Sequence, residues 1–133
     1  MNNTEKSELV VAKILSAISD NGLQYFRLDF DDLKLDEAFE PFFDTCINWL
    51  ADENIIRFSE LIPDCDDDQW AVSNPVLTSY GYSLLNSPLL GGKVDETMGA
   101  AIKKVSEKGT SYAGIGDFIG GILGGFTKSI GSG

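Results

Sequence analysis

The acidic run DCDDD is the stretch whose residue types and spacing come nearest to metal chemistry. Asp64, Asp66 and Asp68 alternate as the first three ligands of a calcium-binding EF-hand loop do. That loop also needs Gly at its sixth position and a bidentate Glu at its twelfth, where this chain has Gln69 and Pro75. The motif is incomplete, and we therefore predict neither a metal site nor a cofactor.

Side chains that commonly perform catalysis are scarce in this sequence. The 133 residues include no histidine, which is the usual general base and metal ligand. Cys46 and Cys65 have no Cys-x-x-Cys spacing and are too few for a disulfide framework, so reduced thiols are predicted. Carboxylates are plentiful, but no spacing singles out the pair of unequal pKa that acid–base catalysis needs. We therefore predict a protein that is not an enzyme.

The acidic residues are concentrated in the middle of the chain. Residues 20–68 contain 15 acidic residues and three basic ones, a net charge of −12, within a chain whose total is −11. Residues 1–19 are neutral and residues 93–133 carry +1. Binding to a phosphate backbone needs Lys and Arg, so this distribution makes nucleic acid a poor partner. It instead favours a basic protein, whose encounter with the chain it would accelerate.

Hydrophobic spacing predicts alternating helices and short strands in the first third of the chain. Apolar residues at i, i+3, i+4 and i+7 predict a helix that begins at a Thr4 cap and ends near Gly22. Strict alternation in residues 23–30 predicts a strand, and the acidic residues 31–40 are predicted to include a short helix.

A further helix, a hairpin and two more helices are predicted after that. Strands in residues 55–62 and 70–73 flank the acidic turn and form the hairpin. A short helix follows a Thr78 cap, and another is predicted over residues 95–109, with Met98, Ile102 and Val105 facing inward. The helix before the hairpin starts at Pro41, and its predicted buried face consists of Phe39, Phe43, Cys46, Ile47 and Leu50.

Two short motifs flank the predicted hairpin. Asn54 and Ile55 open its first strand, and the run LTSYG leads from its second strand into a helix. With the order helix, strand, helix, helix, strand, turn, strand, these motifs resemble a winged-helix domain over about residues 5–87. The later run KKVSEK is similar to small phage-associated winged-helix proteins. The resemblance implies an α+β fold with a winged-helix-like domain in residues 1–90, followed by a helix and a glycine-rich segment in residues 91–133.

The resemblance also implies which surface binds a partner. In winged-helix proteins the helix before the hairpin reads DNA, and the hairpin turn carries basic residues. In this chain both places carry acidic residues, which favours a basic protein over DNA. The predicted partner-binding residues are Asp44, Asn48, Trp49, Asp52, Glu53, Asp64, Asp66, Asp67 and Asp68. Trp49 could equally belong to the hydrophobic core, because helices of small domains often bury a wide face.

Small size, an acidic surface and a tryptophan anchor are typical of immunity proteins and antitoxins. Such proteins cover the basic nucleic-acid site of a nuclease toxin, and tryptophan is a frequent interface anchor. We therefore expect an acidic, non-catalytic protein-interaction module of this type. The first alternative is a winged-helix DNA-binding regulator, and the second is a peripheral membrane protein that docks through its C-terminal segment.

The C-terminal segment combines an apolar stripe with many glycines. Because interior glycines destabilise a helix, the segment needs a surface to fold against, and the protein itself, a second copy or a lipid interface could supply it. Docking to lipid is disfavoured because anionic headgroups would repel the acidic body. A transmembrane span is disfavoured because 16 residues reach only about 24 Å, less than a bilayer core of about 30 Å. The start of the chain has no signal-peptide pattern, so a cytoplasmic location is expected. The stripe consists of Ile115, Phe118, Ile119, Ile122, Leu123, Phe126 and Ile130.

Overall fold

The computed structural model describes residues 2–63, 70–88 and 97–108 of the chain. Helices and antiparallel strands are both present there, so the predicted α+β class is confirmed. The α-helices are α1 (Asn3–Asn21), α2 (Phe43–Asp52), α3 (Ser79–Leu85) and α4 (Met98–Lys108). The strands are β1 (Arg27–Asp29), β2 (Ile56–Arg57), β3 (Glu60–Pro63), β4 (Trp70–Ser73) and β5 (Val76–Leu77). Two 3-10 helices, Phe30–Leu33 and Glu37–Phe42, connect β1 to α2.

Helix α1 is the central element of the core. It contacts α2, α4, β5 and both 3-10 helices. Since it is surrounded, its buried residues are not confined to one stripe as they are on a surface helix. Those residues are Glu8, Leu9, Val10, Val11, Ala12, Ile14, Leu15 and Ile18.

The cap of α1 is Asn2, and the predicted Thr4 cap is therefore wrong. The Asn2 side chain accepts a hydrogen bond from the Glu5 backbone N–H at 2.8 Å, and the Glu5 carboxylate accepts one from the Asn2 N–H at 3.2 Å. This reciprocal capping box satisfies two N–H groups that a helix start otherwise leaves unpaired. At the other end, Gly22 has φ 64° and closes the helix near the predicted position.

Replacement of Asn2 by Ala is expected to lower the free energy of unfolding by about 1 kcal/mol, because it removes the acceptor of the capping box. Replacement of Thr4 by Ala is the matched control and should change stability by less than about 0.5 kcal/mol, since Thr4 lies exposed inside the first turn. Urea denaturation followed by circular dichroism measures both. A larger loss for Thr4→Ala than for Asn2→Ala would contradict the assignment of the cap.

The predicted hairpin is present, and one register runs through its whole length. Strands β2 and β5 pair Ile56 with Leu77, and strands β3 and β4 pair Glu60 with Ser73. Between these ladders the pairing is interrupted, and Asn74 has φ 54° and donates its N–H to the Phe26 carbonyl at 2.7 Å. Strand β1 pairs antiparallel with β4, which gives the strand order β1-β4-β3.

The start of α3 is fixed against the start of the hairpin. The Thr78 hydroxyl accepts a hydrogen bond from the Gly81 N–H, which confirms the predicted cap, and donates one to the Asn54 carbonyl at 2.6 Å. The Thr78 N–H also donates to the Ile55 carbonyl at 3.0 Å. A Cβ atom on Gly81 would overlap the same Ile55 oxygen, so the two backbones approach as closely as only glycine permits.

Helix α2 begins at Phe43, so the predicted start at Pro41 is wrong by two residues. Pro41 lies inside the preceding 3-10 helix, because in a continuous α-helix its ring would clash with the carbonyl of Glu37, four residues earlier. The predicted inner face is otherwise correct, since Phe43, Cys46, Ile47 and Leu50 are buried. Phe39 lies in the 3-10 helix and is half-buried.

Helix α4 belongs to the same hydrophobic core as α1. The predicted inward residues Met98, Ile102 and Val105 are all buried in the cluster that includes α1. The Met98 N–H donates to the Ser87 carbonyl at 2.9 Å, and this bond ties the start of α4 to the end of α3.

Candidate protein-binding face

Helix α2 presents five of the predicted partner-binding residues. Asp44, Asn48 and Asp52 are spaced at i, i+4 and i+8, so they lie along one side of the helix over about 12 Å. Asn48 and Asp52 are exposed, and Asp44 is half-buried at the first turn. Glu53 follows at the C-cap and is exposed. Asp44, Asn48 and Asp52 therefore form a polar stripe on the side of α2 that faces away from the core, and Glu53 lies at the C-terminal end of the helix.

The 3-10 helix directly before α2 in the chain carries two further carboxylates. Glu37 and Glu40 lie on the Glu37–Phe42 helix, which contacts α2. We call the carboxylates of α2, its C-cap and this 3-10 helix, namely Glu37, Glu40, Asp44, Asp52 and Glu53, the acidic face.

No cation of the described residues neutralises the acidic face. The ion pairs of residues 2–63, 70–88 and 97–108 include Arg27 with Asp29 at 2.7 Å and Lys103 with Asp20 at 3.7 Å, and both lie elsewhere. The carboxylates of the acidic face form no ion pair with a Lys or Arg in these ranges. Clustered, unpaired carboxylates produce a negative potential that attracts a basic surface.

Trp49 lies beside the polar stripe, and its ring is half-buried. It packs against the hydrophobic core and lines a hollow of about 180 Å³ together with Ser7, Val11, Thr45 and Cys46. The sequence left open whether Trp49 belongs to the core or to an interface. A ring fixed by core packing, with part of its surface still accessible, is the arrangement of an interface anchor.

The Cys46 thiol is unsuited to nucleophilic chemistry. It is 6% exposed, and its Sγ lies 3.9 Å from the Ser7 carbonyl oxygen. Burial, and to a smaller extent the negative charge of Asp44, raise the pKa of Cys46 to about 12. Because the thiolate is the reactive form, the thiol at neutral pH is a core group and not a nucleophile.

The other predicted site residues lie outside the described residues. These are Asp64, Asp66, Asp67 and Asp68 of the hairpin turn, and Ile115, Phe118, Ile119, Ile122, Leu123, Phe126 and Ile130 of the C-terminal segment. Pro63 and Trp70, the residues on either side of 64–69 in the sequence, form the last described pair of the β3–β4 ladder.

Within residues 2–63, 70–88 and 97–108, no three Cys, Asp or Glu side chains converge as a metal ion would require. None of the helices in these ranges has the length and apolar character needed to cross a bilayer.

A second exposed surface, formed by Leu23 and Tyr25, is not among the predicted sites. Leu23 and Tyr25 are 73% and 88% exposed, although both lie in the stretch predicted as a strand. The signal was present in that stretch, because Leu23 and Tyr25 alternate out of phase with the core residues Leu28 and Phe30.

The comparisons with known proteins return no relative. No protein-family model, curated protein or solved structure matches this chain. The chemistry of its own surfaces is therefore the basis for assigning a function.

Proposed function

We propose that this chain is an acidic, non-catalytic protein-interaction module that binds and regulates a basic protein. Neutralisation of a toxin, as immunity proteins and antitoxins perform it, is the form of regulation that fits best. The observation that carries the proposal is the acidic face, whose carboxylates have no ion-pair partner among the described cations.

A winged-helix-like architecture is part of this proposal. The strand order β1-β4-β3 and the position of α2 directly before the hairpin both support it. The close contact of Ile55 with Gly81 supplies a physical reason for the glycine of the LTSYG motif. In this architecture α2 occupies the position of the DNA-reading helix.

The side chains of α2 favour a protein partner over DNA. A helix that reads the major groove presents Arg, Lys, Asn or Gln to base edges, and only Asn48 of the polar stripe belongs to that group. The carboxylates of Asp44 and Asp52 would face phosphates and repel them. A basic nucleic-acid site on a toxin has the opposite charge, and Trp49 offers it an apolar contact within the acidic rim.

The test uses the full chain and a triple variant, Asp44→Asn, Asp52→Asn and Glu53→Gln. The wild-type chain is expected to retain a basic protein from its host lysate at low salt and release it at moderate salt. The retained protein is then identified, purified and titrated with both chains. The triple variant should bind it about tenfold more weakly, and the wild-type chain should block its nuclease activity.

A charge-matched control separates the acidic face from net charge. Asp31→Asn, Glu60→Gln and Glu107→Gln remove three exposed carboxylates elsewhere and should leave the affinity nearly unchanged. Equal losses for both triple variants would contradict a specific acidic face. Retention of the chain on duplex DNA would support the DNA-binding alternative instead, and co-sedimentation with liposomes would support the membrane alternative.

A further inference from the structure

An open groove lies at the base of the hairpin, where the chain leaves α1. It has a volume of about 630 Å³, and Leu23 and Tyr25 are the exposed large apolar residues of the described part of the chain. The other apolar residues of the groove are Phe58 and Val76, both half-buried. Its polar lining residues are Gln24, Arg57, Ser59 and Asn74.

The backbone holds Leu23 and Tyr25 in this exposed position. Gly22 closes α1, and β1 begins its ladder only at Arg27. Between these points the Phe26 carbonyl accepts the Asn74 N–H at 2.7 Å, which fixes the chain next to the hairpin. Leu23 and Tyr25 therefore lie beside the sheet without joining its ladder, and their side chains stay available to a ligand.

The charge of the groove is opposite to that of the protein. Arg57 is exposed and pairs across the ladder with Val76, and no carboxylate is among the lining residues. Arg57 makes no ion pair with an acidic residue of the described ranges. In a chain with a net charge of −11, this site is therefore complementary to an apolar group that carries a negative charge.

We propose that this groove binds a peptide segment of a partner protein in which an apolar side chain lies next to a carboxylate. The apolar side chain packs between Leu23 and Tyr25, and the carboxylate binds the Arg57 guanidinium, which can donate two parallel hydrogen bonds. Exposed Tyr and Arg side chains are frequent hot spots of protein interfaces, which agrees with this composition.

A second copy of the chain is a poorer occupant. A symmetric dimer through this groove would bring two Arg57 side chains together, with no carboxylate from the groove to separate them. The heterologous peptide avoids this repulsion because it supplies the missing negative charge.

This site is independent of the acidic face, and salt distinguishes the two. A basic protein on the acidic face should bind more weakly as salt rises. A carboxylate peptide in the groove should depend much less on salt, because screening weakens both its contact with Arg57 and its long-range repulsion by the acidic chain, and these two effects oppose each other. If one of the two proposed sites does not bind its partner, the other can therefore still be tested.

The probe is a phage-displayed library of random peptides, selected on the full chain and depleted on the full-chain variant Tyr25→Ser. Enriched peptides are expected to carry Leu, Ile or Phe next to Asp or Glu. The best peptide is synthesised and titrated by fluorescence polarisation. Tyr25→Ser should weaken its binding at least about tenfold and Arg57→Gln about fivefold. Replacement of the peptide carboxylate by an amide should weaken binding to the wild-type chain, but it should not weaken binding to the Arg57→Gln variant any further.

Several outcomes would overturn the proposal. One is enrichment of peptides without acidic residues, or of peptides that bind Tyr25→Ser and Leu23→Ser as well as the wild type. A photoreactive residue at position 25 that cross-links to residues 109–133 of its own chain, or to a second copy, would assign the groove to that occupant instead. Asp52→Asn serves as the matched control and should leave peptide binding unchanged.

Discussion

Replacement of Phe43 by Ala is expected to lower the free energy of unfolding by about 3–5 kcal/mol. Phe43 is fully buried at the start of α2, where its ring meets the Phe30 ring edge-on with centroids 6.1 Å apart and planes at 77°. The substitution removes the transfer free energy of the ring, opens a cavity and deletes the aromatic pair. Since small domains are typically stable by about 5–15 kcal/mol, this variant should be close to unfolding.

Phe42→Ala is the matched control for Phe43→Ala, and the free energy of unfolding of both variants is measured with denaturant. Phe42 precedes Phe43 in the chain, has the same side chain and is only half-buried, so its loss should cost about 1 kcal/mol. If both variants lost the same stability, Phe43 would not be the side chain that joins α2 to the core.

Replacement of Gly81 by Ala is expected to lower the free energy of unfolding by about 2–3 kcal/mol, although alanine favours a helix. The new Cβ would overlap the Ile55 carbonyl oxygen, which is backbone and cannot rotate away as a side chain can. That oxygen also accepts the Thr78 N–H, so any shift that makes room weakens the bond at the start of α3. The cost of the displaced backbone should outweigh the gain in helix propensity.

Ser83→Ala is the control for Gly81→Ala. Ser83 lies two residues further along α3 and is exposed, so its substitution should change stability by less than about 0.5 kcal/mol. Thermal unfolding of both variants by circular dichroism compares them directly. An unchanged or raised melting temperature for Gly81→Ala would mean that the two backbones are not in contact.

The features predicted correctly from the sequence are those encoded by local chemistry. The Thr78 cap, the two arms of the hairpin and the inner face of α4 follow from residue type and periodicity. The Asn2 cap was also readable, because Glu5 follows three residues later and completes a capping box.

Other features depend on packing that periodicity does not encode. The half-buried state of Trp49 results from the position of α2 against α1, where the ring lies at the edge of the contact. The 3-10 helix Glu37–Phe42 depends on Pro41, and both 3-10 helices before α2 depend on how the chain fits against α1.

The sequence predicts that acidic residues line one side of α2, but it does not predict that their carboxylates lack an ion-pair partner among the described cations. The spacing of Asp44, Asn48 and Asp52 places them on one side of a helix. Whether Arg57 or another cation lies near enough to neutralise them depends on the tertiary fold. The exposure of Leu23 and Tyr25 also depends on the tertiary fold, because the alternation of side chains does not show at which residue a strand begins to pair.

The single register of the hairpin also determines where the chain can change its length. Residues added between Pro63 and Trp70 leave every pair of both ladders in place. One residue added at the interruption, beside Asn74, would shift the Ile56–Leu77 ladder against the Glu60–Ser73 ladder and turn a buried side chain to solvent. Natural insertions and deletions should therefore accumulate at the tip of the hairpin, and at the interruption they should occur only as matched changes in both arms.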